Sequence, residues 1–189
     1  GQVVPEQNYD DIEYDYFLPY MRHDPYRETI FSILKSKEIL SNSLYSCPAI
    51  PGRRAKFIEG NKAKASRFNH RELSKLLQPY IHKCLCYISL ENGPLQNFFP
   101  IASDKSLMAF KNKIPSAWLM HDNKAQLLRS WGFKCAVKSI PEMIKLKSEN
   151  RKKWFDQQRK LVETNYALVN QLPDRLTDKI MKRFSDTKI

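Results

Sequence analysis

The stretch from Ile81 to Leu90 constrains the fold most. Cys84, Cys86, Ile88 and Leu90 alternate with Leu85 and Tyr87, and both alternating sets are apolar. A strand apolar on its two faces has to be covered on both sides, so the chain must supply a layered core around it. Glu91, Asn92, Gly93 and Pro94 form a turn, and Leu95 to Ile101 reads as a return strand limited by Pro100. A short helix from Ser103, a strand over Ile114 to Met120, a helix capped by Asp122 and ending at Gly132, and a strand over Phe133 to Val137 follow. This succession predicts an α+β fold, with a small mixed β-sheet over about residues 81–138 packed with helices.

Helices flank that sheet on both sides in the chain. Asp24 and Pro25 supply an N-cap and a first-turn proline to an amphipathic helix carrying Tyr26, Ile30, Ile33, Leu34 and Leu40, expected to end near Ser41 to Ser43. Asn69 and Glu72 start a shorter stripe of Leu73, Leu76, Leu77 and Tyr80. Ser139, Pro141 and Glu142 open the longest helical segment, which the pattern extends to Leu172. Pro173 breaks it, and Asp174 caps a last amphipathic helix. The chain of 189 residues therefore divides into an acidic, Tyr-rich N-terminal arm over 1–20, a single globular domain over 21–172 and a C-terminal amphipathic helix over 173–189. The arm is defined by five acids, Glu6, Asp10, Asp11, Glu13 and Asp15, and by four rings, Tyr9, Tyr14, Tyr16 and Phe17, suited to docking on a neighbouring surface.

Charge is what points to a partner. The chain carries a net +12, and the 21 residues from Pro51 to Arg71 hold half of it: Arg53, Arg54, Lys56, Lys62, Lys64, Arg67 and Arg71 against Glu59 alone. Phe57 and Phe68 interrupt this run, and the segment has no sustained apolar period, so it reads as a basic loop over 51–71. Cations spaced along such a loop can follow a row of phosphates while the rings stack on unpaired bases. Lys147, Arg151, Lys152 and Lys153 form a second basic patch, followed by Trp154. An irregular arm with interleaved rings suits RNA better than the major groove of DNA, which calls for a recognition helix.

Other chemistry finds less support. His82, Cys84 and Cys86 could face one site on a strand, but tetrahedral zinc draws its ligand pairs from turns with longer spacing, so no metal is expected. Asp104, Glu91 and Asp122 could hold Mg²⁺ only by folding together, and no nucleophile elbow, phosphate loop or dinucleotide fingerprint occurs. Catalytic residues and cofactors are therefore not expected. The four cysteines lack a disulfide framework, which points to an intracellular, nuclear or mitochondrial setting. The dense basic stretch lacks the broad apolar face that a membrane surface would require.

The composition, with few glycines, many aromatics, charged arms and a long terminal helix, resembles that of small basic accessory subunits of ribonucleoprotein and chromatin assemblies. The expectation is a non-enzymatic nucleic-acid-binding structural component, with RNA preferred, holding protein subunits through its acidic arm and C-terminal helix. Two alternatives stand beside it: a protein-interaction module for acidic surfaces, and a metal-dependent nuclease or nucleotidyl-transfer enzyme.

Overall fold

The computed structural model describes residues 3–20, 24–48, 55–59, 67–68, 79–91 and 104–172. Six strands form one sheet: β1 (Tyr14–Pro19), β2 (Leu44–Pro48), β3 (Ala55–Glu59), β4 (Arg67–Phe68), β5 (Cys84–Leu90) and β6 (Ser116–Leu119). Their spatial order is β4-β3-β2-β1-β5-β6. The run β2-β1-β5-β6 is parallel throughout, and β3 and β4 are added antiparallel at the β2 side. Helix α1 (Pro25–Ser36) connects β1 to β2, α2 (Asp104–Lys111) lies between β5 and β6, and α3 (Asp122–Ser130) follows β6. Parallel strands with intervening helices make this an α/β fold rather than the expected α+β one.

The two apolar faces of β5 behave as the alternation requires, since all seven residues of the strand are buried. On one side Phe17, Tyr87 and Trp118 pack with Phe110 of α2, Leu128 of α3 and Val169. On the other, Tyr16, Leu18, Ile88 and Leu119 pack with Leu34 of α1, Met143, Leu146 and Phe155. Phe110 stacks on Phe133 at 4.4 Å between ring centroids, which anchors the chain leaving α3.

The largest departure is at the N-terminus. From Tyr14 onward the expected acidic arm is the central strand of the sheet, flanked by β2 and β5. Asp15 is buried there because Arg151 reaches it across the fold as an ion pair. A partner 136 positions away leaves no trace in the local pattern. The sheet therefore reaches well beyond residues 81–138, and within that range Phe133–Val137 contributes only an isolated bridge from Val137 to Ala117.

The basic segment departs as well. Ala55–Glu59 pairs along the whole of β2, and Arg67–Phe68 pairs with the start of β3, so these parts are sheet edge rather than loop. An uncovered β2 would expose a row of unpaired backbone groups, and β3 satisfies them.

Helix starts follow the caps read from the sequence more closely than helix ends do. The Asp24 side chain accepts from the Arg27 amide at 3.1 Å, but α1 stops at Ser36, with Glu38 at φ +56° in the turn beyond. Before α3 the capping side chain is that of His121, which accepts from the Asn123 amide at 3.3 Å, and Asp122 sits in the first turn instead. Gly132 adopts φ +94°, the left-handed geometry expected past a helix end. The long segment from Ser139 is three helices: α4 (Ile140–Leu146), α5 (Arg151–Gln157) and α6 (Arg159–Asn170). Asn150, at φ +45°, makes the break before α5. The expected strand over Leu95–Ile101, most of the helix from Asn69 and the helix over 173–189 lie outside the described residues.

Candidate nucleic-acid interface

Two groups of basic residues sit on this frame. In the first, Lys56 of β3 is the register partner of Arg67 of β4, and Ala55 is that of Phe68. Phe57 pairs with Ser46 of β2. Four of the expected interface residues, Lys56, Phe57, Arg67 and Phe68, therefore lie on the two outer strands of one sheet. Arg53, Arg54, Lys62, Lys64 and Arg71 lie outside the described residues. Because β3 runs against β2, Ala55 pairs with Pro48 at the carboxyl edge of the parallel strands. Phe68, paired with Ala55, is at that same edge. In open α/β sheets ligands bind outside the carboxyl ends of the strands, at the point where strand order reverses. Here the order reverses between β1 and β5.

The second group divides by role. Lys147 is a tether, since its Nζ donates to the Glu38 carbonyl and to Ser41 Oγ at 2.7 Å, joining the end of α4 to the turn after α1. Arg151 is half-buried and committed to Asp15, and it also donates to the Lys147 carbonyl at 3.1 Å. Lys152 pairs with Asp156 at 2.7 Å on the surface and stands 5.5 Å from the centroid of the Tyr9 ring. Lys153 is exposed. Trp154 is half-buried and packs against the core beside Phe155.

Arg151→Ala would strand the Asp15 carboxylate without its counter-ion, and we expect a loss of about 3 kcal/mol in urea unfolding. Lys152→Ala, which removes only a surface pair, should cost less than about 1 kcal/mol in the same measurement.

The structure also brings together residues that the sequence did not single out as a group. Glu91, at the end of β5, is fully buried, accepts from Ser106 Oγ of α2 and forms an ion pair with Lys124 Nζ at 3.3 Å. The available signal was Lys124 itself, a cation in the first turn of a helix, where the macrodipole disfavours it. Asp104 begins α2 and Asp122 begins α3, so the three acids considered for Mg²⁺ lie at one edge of the sheet. Among the described residues, however, no three metal-ligating side chains converge.

His82, Cys84 and Cys86 do not share a site either. His82 Nε2 meets the Asn112 carbonyl at 2.7 Å, and Cys84 and Cys86 are buried in the core. Burial pushes both thiols well above the ordinary range, which makes them poor nucleophiles and poor ligands. No helix among the described residues is long and apolar enough to cross a membrane. No family model matches the chain, and no curated protein or solved structure is similar enough to count as a match.

Proposed function

We propose that the chain is a non-enzymatic nucleic-acid-binding component of a larger ribonucleoprotein or chromatin assembly, with RNA as its preferred ligand. The observation that carries this reading is the register of Lys56 against Arg67 on the two outer strands. It places two of the segment's cations, Lys56 and Arg67, side by side on a sheet edge. Cations held on a sheet need no ordering on binding. Contacts of this kind are to phosphates, so they set affinity and salt dependence more than sequence preference.

The test is a titration of single-stranded RNA, structured RNA and duplex DNA at two salt concentrations. The variant changes Arg53, Arg54, Lys62, Lys64 and Arg67 to Gln. On single-stranded RNA each phosphate contact contributes about −0.7 to the slope of log affinity against log salt, so losing five should flatten that slope by up to about 3.5. An unchanged slope with the fold intact would remove the basic segment from the interface. Weak, length-independent binding by the wild type would turn the search toward acidic protein partners.

A further inference from the structure

A groove of about 860 Å³ opens between the N-terminal 3₁₀ turn (Tyr9–Asp11) and α5. It is shallow and open to solvent over most of its extent. Tyr9 lines it, and its ring packs tilted on Phe155 at 5.5 Å between centroids. Lys152, Lys153, Ser148, Asn150 and Asp156 line it as well. We infer that this groove seats one unpaired nucleotide, with its base on Tyr9 and its phosphate between Lys152 and Lys153, as a single-stranded extension of the proposed nucleic-acid interface.

Each part of the groove suits that ligand. The Lys152 ammonium covers the Tyr9 face, 5.5 Å from its centroid, so a stacking base takes its place and the lysine is free to meet the phosphate. Its pair with Asp156 joins side chains that are 58% and 48% exposed, and such a pair is weak enough for a phosphate to displace. Asn150 makes no capping hydrogen bond with its side chain, which leaves an amide donor and acceptor at the groove for a base edge. Arg151 is held by Asp15 and keeps the first turn of α5 in place beneath the two lysines. Bases in a duplex are stacked on one another and cannot reach a lone ring, so the site selects single strands.

This inference rests on the nucleic-acid reading, and the experiment separates the two. The full chain is titrated with a short labelled oligouridylate and with duplex RNA, and uridine monophosphate is used as competitor. Tyr9→Leu keeps an apolar contact for Phe155 and removes the π face, so affinity for the oligouridylate should fall about 5- to 100-fold while duplex affinity is unchanged. Tyr9→Phe should bind like the wild type. Lys152→Gln with Lys153→Gln leaves the Tyr9 packing intact and should also weaken oligouridylate binding, which covers the case in which Tyr9→Leu unfolds. Competition by the monophosphate would assign the groove to free nucleotides as well as to strands, whereas its failure would assign it to strands alone. The groove proposal is overturned if folded Tyr9→Leu, or the double lysine variant, binds oligouridylate like the wild type while the basic-segment variant loses it. If the wild type binds none of these nucleic acids, the broader reading falls with it.

Discussion

Replacing Lys124 by Met is expected to destabilise the protein by about 3–5 kcal/mol, measured by chemical denaturation at neutral pH. Lys124 and Glu91 are 4% and 1% exposed, and their charged atoms are 3.3 Å apart. Removing the ammonium takes the Lys124 counter-ion from a buried carboxylate that also accepts from Ser106 Oγ of α2. Breaking a buried ion pair by removing one partner is among the few single changes that approach the whole stability of a domain. Changing both partners, Lys124→Met with Glu91→Leu, should recover most of the loss, because well-packed apolar residues replace a buried pair at little cost. A double variant no better than Lys124→Met alone would show that the pair is not what Lys124 contributes.

The second large effect should appear in alkali. Burial pushes the thiols of Cys84 and Cys86 well above their ordinary value of 9.0, and that of Cys135 in the same direction. Below pH 9 both folded and unfolded chains hold these protons, so nothing changes. Above it the unfolded chain releases them while the folded one retains them, and stability falls as pH rises. Each thiol removes up to about 1.4 kcal/mol per pH unit. The buried Tyr16 hydroxyl, which donates to the Met143 carbonyl at 2.6 Å and is also pushed upward by burial, adds to the fall once pH passes 10.0. Urea midpoints should be level to about pH 8.5 and then drop steeply. A variant with Cys84, Cys86 and Cys135 changed to Ala should shift the start of the drop to the tyrosine range. A wild-type midpoint level through pH 10 would contradict the retained protons.

These two cases also show what a sequence can and cannot disclose. Local signals were legible: the two-faced apolar alternation of β5, the Asp24 cap, Ser139 accepting from the Glu142 amide, and the left-handed Gly132. Each depends on residues within a few positions of one another. Features settled by distant partners were not legible. Asp15 made β1 look like a solvated arm because its counter-ion belongs to α5. The segment from Glu142 to Leu172 holds no proline or glycine, so nothing local marked the breaks at Asn150 and Gln158. For the site, charge density pointed to the basic residues but could not tell tethers such as Lys147 and Arg151 from the exposed Lys152 and Lys153. Of the four rings expected to dock as an arm, Tyr9 packs against Phe155 of α5, whereas Tyr16 and Phe17 are buried in β1.

The central position of β1 has a consequence during synthesis. Its neighbour β5 is far downstream, and Glu13 and Lys83, which close the amino end of that pairing, are 70 positions apart. At roughly 5–20 residues per second a ribosome takes about 4–14 s to cover that interval. Throughout it one edge of an apolar strand has no native partner. The nascent chain therefore has a defined window in which a holdase can bind it. A stalled translation product ending before Cys84 should be far more prone to aggregation than one that ends after Leu90.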